Sequence, residues 1–257
     1  MTTHFVIPDT QVKPGCPIDH LEAAGNYIAA KRPDVILHLG DHWDMHSLSR
    51  WDKGKRQAEG SRYVADIDAG RFAMERLMAP IEAANRRCKK GRDKQYHPRW
   101  VFLEGNHENR IVREADDNPQ MEGKLSLNDL GLVEMGWEQV PFLTPIDIDG
   151  VLYCHYFVNT MSLKKNVIGG TIDNKLKHIG QSFTMGHQQT LQIGMRWLNN
   201  GKCQRGIVSG SFYEHDEPYM GPQGNHHYRG CLMKHEVEDG NYCLMELSLD
   251  YLKKDWL

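Results

Sequence analysis

Short apolar runs alternate with helical patterns through the first 103 residues of the chain. Three of these runs have the length of a buried strand: residues 4–8, 34–39 and 100–103. Between them, apolar positions recur at helical spacing over residues 19–31, with Asp19 placed as the N-cap, and over about residues 61–87. Strands that alternate with helices pair in parallel through right-handed crossovers, so the pattern predicts a parallel sheet.

The second half of the chain changes to hairpin signals. Asp-Gly dipeptides at 149–150 and 239–240 stand between runs of alternating residues, which is a strong signal for a two-residue turn. Asn-Asn-Gly at 199–201 predicts a third hairpin, and a helical pattern over about residues 162–178 interrupts these strands. The two halves together predict a mixed α/β protein with two sheets.

Each of the three N-terminal strands is followed by a polar cluster. The clusters are D-T-Q at 9–11, G-D-H-W-D at 40–44 and G-N-H-E at 105–108. Ligands bind beyond the carboxyl ends of the strands in open α/β sheets, so these side chains are expected to converge. His155 and His187 lie in or just after later strands. Carboxylates, an amide oxygen and imidazoles are the ligand types of a two-metal site.

This succession of motifs resembles the signature of the calcineurin-like metallophosphoesterases. That signature reads D-x-H, G-D-x-x-D, G-N-H-E or G-N-H-D, a lone H and then G-H-x-H. The resemblance spans Asp9 to Gln189, and its two central blocks are the specific part. It implies a four-layer α/β/β/α sandwich with two mixed β-sheets. It also implies hydrolysis of phosphate mono- or diesters by a hydroxide that bridges two metals. Because no linker divides the chain, we expect residues 1–257 to form a single domain.

The resemblance implies a role for each matching residue. The implied metal ligands are Asp9, Gln11 and Gln189 for the first ion, Asp41 for both ions, and Asn106, His155 and His187 for the second. His107 is similar to the residue that stabilises charge or protonates the leaving oxygen, and Asp44 to its orienting partner. Taken alone, Asn106 would be a helix cap and His155 a core histidine. The order of the clusters is what favours a site.

Two positions depart from the family pattern, and both belong to the first metal. Gln11 and Gln189 stand where the family has histidines. An amide oxygen is a harder and weaker ligand than an imidazole nitrogen, which favours Mn²⁺ over Zn²⁺, with Mg²⁺, Ni²⁺ and Fe²⁺ as alternatives. The departure leaves open whether both metals are needed.

Composition and charge limit the partners. The formal net charge of −3 means that any affinity for nucleic acid must come from a local patch. Two basic runs, at 50–56 and 86–99, fit such a patch, or else a lid loop and a solvated loop. None of the six cysteines forms a C-x-x-C pair, which predicts free thiols. With neither a signal-peptide pattern nor a membrane-spanning run, we expect a cytoplasmic protein with no membrane partner.

Three functions therefore stay open at the level of sequence. The first is a metal-dependent phosphatase or phosphodiesterase acting on a phosphate-ester substrate. The second is a DNA or RNA nuclease of the same fold, acting through the basic runs. The third is a non-catalytic metal-binding scaffold whose first metal site is weakened by Gln11 and Gln189. The sequence leaves the oligomeric state undetermined.

Overall fold

Three parallel strands form the centre of the first sheet. The computed structural model describes residues 1–121, 123–162, 166–217 and 220–257. Strands β1 (Thr2–Ile7), β2 (Val35–His38) and β3 (Arg99–Leu103) lie side by side, with β2 parallel to both of its neighbours. This confirms the parallel sheet that the alternation of strands and helices predicts.

The first sheet is extended at both edges. The added strands are β4 (Glu138–Val140), β10 (Gly230–Glu238) and β11 (Asn241–Ser248). Among the described residues the order is β11-β10-β1-β2-β3-β4. Because β10 runs antiparallel to both β1 and β11 while β4 runs parallel to β3, the sheet is mixed.

The second sheet is also mixed. Its described strands are β5 (Ile146–Ile148), β6 (Val151–Cys154), β7 (Phe183–Met185), β8 (Leu191–Trp197) and β9 (Cys203–Ser209). They follow the order β5-β6-β7-β9-β8, with parallel pairs in the middle and antiparallel pairs at the edges. Antiparallel pairs meet at the three predicted turns, 149–150, 199–201 and 239–240, which confirms these hairpins.

The helices of the described residues lie between and after the strands along the chain. They are α1 (Asp19–Lys31), α2 (Tyr63–Gly91), α3 (Asn109–Asp117), α4 (Ile172–Ile179), α5 (Gly221–Gly224) and α6 (Leu249–Trp256). Short 3₁₀ turns lie at His46–Leu48, Arg56–Ala58, Pro119–Met121 and Leu127–Leu130. Over the described ranges, no helix has both the length and the apolar character needed to cross a bilayer.

Two helix predictions were wrong in detail. Asp19 is the first residue of α1 and not its N-cap, which is Ile18 without a side-chain cap bond. The helix predicted over about 162–178 begins only at Ile172, and residues 163–165 of that range lie outside the described residues. The Thr171 side chain accepts a hydrogen bond from the Asn174 N–H, so the helix start is set by this cap and not by the apolar pattern upstream.

Three apolar clusters bind the layers together. The first lies between α1, α2, α6 and one face of the first sheet, with Leu21, Leu77 and Phe102 at 0% exposure. The second fills the space between the two sheets, and the third packs α4 through Leu176 against the far face of the second sheet. The alternation of side chains along each strand serves two faces at once, which is why these strands are apolar throughout.

A cationic side chain lies inside the second cluster. Lys234 of β10 is fully buried, and its side-chain nitrogen donates to the Tyr153 hydroxyl at 3.1 Å and to the Thr184 hydroxyl. It lies 4.3 Å from the centre of the Tyr242 ring. Burial, reinforced by Arg205, lowers the pKa of Lys234 well below its ordinary value. The charged form is therefore disfavoured in the folded state.

Lys234 is expected to make stability rise with pH. Between its lowered folded pKa and its ordinary pKa of about 10.4, the unfolded chain binds a proton that the folded chain does not. Between about pH 8 and pH 10, the free energy of unfolding should rise less steeply with pH in Lys234→Met than in the unmodified protein. The difference in slope should be up to about 1.4 kcal/mol per pH unit. Urea denaturation at several pH values measures this slope. Lys254→Met, at an exposed position of α6, is the control, and an unchanged slope in Lys234→Met would contradict the assignment.

Candidate metal centre

The carboxyl ends of β1, β2 and β3 meet at one edge of the first sheet, and the polar clusters lie there. The loop after β1 is held against the loop after β2, because the Gln11 N–H donates to the Asp41 carbonyl at 2.9 Å. Four site residues have left-handed backbone: Gln11 (φ 40°), Asp41 (φ 49°), His187 (φ 68°) and Gln189 (φ 57°). Such conformations are costly for residues other than glycine, so they indicate a site held in place by its surroundings.

Glycine precedes three of the site residues for reasons of space. A Cβ at Gly105 would lie 2.1 Å from Oδ1 of Asp41, and one at Gly186 would lie 2.5 Å from Oδ1 of Asp9. Only Gly40 among these three also needs its conformational freedom, with φ at 91°. Gly40 therefore allows a sharp turn, whereas Gly105 and Gly186 leave room for a carboxylate.

Asp41, His155 and His187 form a cluster in which one ligand atom from each lies within 4.8 Å of the others. The Nδ1 of His155 is 2.7 Å from the Leu39 carbonyl, so it donates there and Nε2 faces the site. That Nε2 lies 3.3 Å from Oδ2 of Asp41 and 3.0 Å from Oδ1 of Asn106. A histidine oriented through its other nitrogen is the usual arrangement of a metal ligand. All the residues predicted for the second metal are therefore brought together.

The charges of this cluster are strongly coupled. Burial opposes ionisation of Asp41, but His107 and His155 outweigh it and hold the pKa of Asp41 well below its usual range. Burial lowers the pKa of His155, yet Asp41 overrides burial and raises it to about 9. Burial, with His155 adding to it, lowers the pKa of His187 to about 4. The neutral His187 imidazole is thus in the form that binds a metal.

The residues predicted for the first metal are buried and incompletely paired. Oδ1 of Asp9 accepts from the His187 N–H at 3.0 Å. Within the described chain, neither Oδ2 of Asp9 nor the Gln11 amide has a hydrogen-bond partner. Burial raises the pKa of Asp9 to about 7. Buried polar atoms require partners. A cation is one possible partner for Oδ2 of Asp9 and for Oε1 of Gln11, whereas the Gln11 NH₂ group requires an acceptor.

Gln189 is engaged differently from the histidine that it replaces. Its Oε1 accepts a hydrogen bond from the Tyr213 hydroxyl at 2.7 Å. An imidazole nitrogen has one lone pair, whereas an amide oxygen has two, so this contact does not by itself prevent Gln189 from binding a cation. Tyr213 was not predicted from the sequence, and it fixes the direction of the amide.

His107 is held beside the cluster by Asp44. Its Nδ1 lies 3.0 Å from Oδ1 of Asp44, and its Nε2 lies 3.7 Å from Oδ2 of Asp41. The His107 N–H also donates to Oδ1 of Asp41 at 2.9 Å. Burial lowers the pKa of His107, but Asp41 and Asp44 outweigh it and raise the pKa overall. The predicted pairing of His107 with Asp44 is present.

Arg110 is a site residue that sequence reasoning missed. It lies one helical turn beyond His107, and its guanidinium donates to the Asp44 carbonyl at 2.8 Å and to Nε2 of His107 at 3.1 Å. Arginine only donates, so Nε2 of His107 accepts in this arrangement. The i, i+3 spacing from His107 was the signal in the sequence that could have suggested the contact.

Glu108, the last residue of G-N-H-E, was also missed, although it is fully buried. Its carboxylate accepts four backbone hydrogen bonds of 2.8–3.0 Å, from the N–H groups of Gly105, Asp41, His42 and Trp43. Burial and Asp41 raise the pKa of Glu108 to about 7, while the N–H donors oppose the rise. This carboxylate ties the loop after β2 to the loop after β3.

The two basic runs lie in different places. Arg50 and Trp51, from the first run, line a cleft of about 380 Å³ together with Asn106, Arg110 and Arg113. The run at 86–99 precedes β3 and so lies at the opposite edge of the sheet. There the Tyr96 hydroxyl donates to the Pro33 carbonyl at 2.5 Å, just before β2. Run 86–99 is thus remote from the metal centre.

The site is therefore a cluster of metal-ligand side chains at the carboxyl edge of a mixed α/β fold. No family model matches the chain. The Gene 54 protein of Mycobacterium phage D29 is 32% identical over 108 residues, which cover 41% of this chain and 35% of that protein. The Gene 54 protein of Mycobacterium phage L5 is 33% identical over 110 residues, which cover 42% and 36%.

The chain thus spans about a third of the length of these curated relatives, whose names state no activity. One solved crystal structure covers 96% of this chain and 99% of its own, at 11% identity and a TM-score of 0.36. A likeness at that level adds nothing to the assignment of fold or function.

Replacing Glu108 with glutamine should destabilise the site without removing a metal ligand. The NH₂ group of the introduced amide would face two N–H donors, and each buried donor left unpaired costs about 1–3 kcal/mol. We expect Glu108→Gln to lower the free energy of unfolding by about 2–6 kcal/mol in chemical denaturation. Glu75→Gln, on the exposed face of α2, is the matched control. Equal stability of the two variants would refute the anchoring role.

Removing the His187 imidazole should weaken metal binding. Glycine keeps the left-handed backbone at this position without steric strain, so His187→Gly removes a ligand and preserves the loop. We expect the affinity for Mn²⁺ to fall at least about tenfold. Even the loss of a residue that only hydrogen-bonds to a metal ligand lowers metal affinity by about 10–100-fold. Isothermal titration with MnCl₂ measures it. Exposed His97→Gly is the control, and an unchanged affinity in His187→Gly would exclude His187 as a ligand.

Proposed function

We propose that this protein is a metal-dependent phosphoesterase with a calcineurin-like α/β/β/α sandwich. One observation carries the proposal: the cluster of Asp41, His155 and His187 lies directly beside the paired His107 and Asp44. A buried metal-ligand set needs no adjacent acid–base pair if its role is structural. The combination is what hydrolysis of a phosphate ester requires, because negative charge must be stabilised while a leaving oxygen takes a proton.

The resemblance implies how the residues would divide between two ions. Asp41, Asn106, His155 and His187 would hold one ion, and Asp9, Gln11 and Gln189, with Asp41, would hold the other. Mn²⁺ is favoured, because the second ion would have the amide oxygens of Gln11 and Gln189 where imidazoles would favour Zn²⁺. Divalent cations bound there would supply Lewis acidity and an activated water.

The chain's own residues supply the rest. His107 is held by Asp44 through Nδ1, which leaves Nε2 facing the metal ligands at 3.7 Å from Asp41. When Nε2 of His107 carries a proton, it stabilises charge on a phosphoryl oxygen or donates that proton to the leaving oxygen. Arg110 donates to Nε2 only when His107 is neutral, and its guanidinium adds fixed positive charge beside His107. The buried surroundings of both groups strengthen these interactions.

Hydrolysis of an aryl ester tests the proposal. Purified protein is incubated with bis-p-nitrophenyl phosphate and with p-nitrophenyl phosphate, each with Mn²⁺, Mg²⁺, Ni²⁺, Fe²⁺ or Zn²⁺. We expect metal-dependent release of nitrophenolate, fastest with Mn²⁺. The comparison of diester with monoester shows which the site prefers.

His107→Ala should lower kcat by about 10²–10⁴-fold, as general acids contribute, while metal content measured by elemental analysis stays the same. His97→Ala, at an exposed position, is the control. A normal rate in His107→Ala would refute the role assigned to His107. Full metal occupancy with no hydrolysis of either ester would support a non-catalytic scaffold instead.

A further inference from the structure

A cleft opens beside the metal ligand Asn106, on the solvent side of the proposed centre. It measures about 380 Å³ and is lined by Arg50, Trp51, Asn106, Arg110 and Arg113. Three of these residues are arginines that come from two separate parts of the chain, the loop after β2 and helix α3. Such a concentration of guanidinium groups at the mouth of a phosphoesterase site suits a second phosphate, one that is not cleaved.

The arginines repel one another in the absence of an anion. Burial lowers the pKa of Arg113, and the positive charges of Arg50 and Arg110 lower it further. Within the described residues, the buried Nε of Arg113 has no hydrogen-bond partner. Arg50 is paired with Asp117, but both side chains are about half exposed, so the pair is readily exchanged for a ligand. An anion in the cleft would relieve this repulsion.

Trp51 adds an aromatic surface to this charged cleft. Its side chain is 82% exposed, although indole rings are usually well buried in folded proteins. A base stacks on an exposed aromatic ring irrespective of its identity, while neighbouring arginines contact the backbone phosphates. An inorganic phosphate or a phosphorylated protein side chain carries no base that could stack on the indole.

We propose that this cleft binds the nucleoside phosphate next to the scissile phosphate, with its base on Trp51 and its phosphate on Arg50 and Arg113. The proposal rests on the proposed function and names the substrate class of that site: a nucleic-acid strand or a nucleotide. In the reaction, water adds to phosphorus, the bond from phosphorus to the leaving oxygen breaks, and that oxygen takes a proton. No other reactant is consumed.

The other basic surface does not compete for this role. Arg86, Arg87, Lys89 and Lys90 line a groove at the end of α2, and among the residues that the structure describes no aromatic side chain lines it. Arg86 also lies 3.5 Å from Glu82 in an i, i+4 pair on the helix surface. Because this groove precedes β3, it lies at the edge of the sheet opposite the metal centre.

Equilibrium binding without turnover tests the proposal separately from catalysis. The full chain is titrated into fluorescein-labelled oligothymidylate in EDTA, and binding is followed by fluorescence anisotropy. We expect Trp51→Ala and Arg113→Gln each to weaken binding by about fivefold or more, because the first removes a base-stacking contact and the second a phosphate contact. Trp197→Ala, whose side chain is 71% exposed on the edge strand β8, and Arg86→Gln at the remote groove are the matched controls.

The remaining arms identify the source of the nucleoside phosphate. Competition by thymidine monophosphate as strong as by the oligonucleotide indicates a nucleotide substrate, whereas weak competition indicates a strand. Failure of Trp51→Ala to weaken binding, or equal losses in the Trp197 and Arg86 variants, would overturn the proposal. Hydrolysis of aryl esters without any binding of oligonucleotide or nucleotide would reject the cleft assignment and leave the phosphoesterase standing. Binding of the oligonucleotide or nucleotide without hydrolysis of either aryl ester would reject the phosphoesterase and leave the cleft assignment standing.

Discussion

The buried carboxylate of Glu108 is the interaction on which the arrangement of the site depends. It accepts N–H groups from the turn after β2 and from the turn after β3, so two loops that are distant in sequence share one anchor. Asp41 can then accept the His107 N–H, and the ring of His107 reaches Asp44. A carboxylate that is completely removed from water is costly unless it is bonded in this way. The buried Glu108 carboxylate is therefore stable only while both loops keep the geometry that directs their N–H groups toward it.

The same geometry concentrates opposite charges in a buried space. Asp9 and Asp41 are almost inaccessible, and burial raises the pKa of Asp9 to about 7. Asp41 stays ionised because two imidazoles face it. Burying these charges does not benefit stability, since apolar residues in place of buried ion pairs often leave a protein equally or more stable. The strained backbone at Gln11, Asp41 and His187 is consistent with a region shaped for binding cations.

The candidate metal centre and the arginine-lined cleft adjoin each other and share residues. Asn106 belongs to both, as a partner of His155 and as part of the cleft wall. Arg110 joins them in a second way, since it contacts His107 and lines the cleft. Charge is graded across this surface, from carboxylates and imidazoles inside to guanidinium groups outside. The proposed phosphodiester substrate would lie along this gradient, with its scissile phosphate inward and its neighbouring phosphate outward.

Most of the strands and the three tight turns could be predicted from local sequence, and the family resemblance suggested which side chains gather in the candidate metal cluster. Short apolar runs bounded by turn residues favour a buried strand, Asp-Gly dipeptides favour one turn type, and a polar residue directly after a parallel strand emerges at its carboxyl edge. The contacts that these residues make followed only from the folding of distant segments onto one another. Glu108 meets Asp41 across 67 positions of the chain and Trp51 joins the wall of a cleft that α3 completes, while the start of α4 is set by a threonine cap. Partners, charge states and cleft walls depend on contacts between distant segments, and local pattern carries no record of those distances.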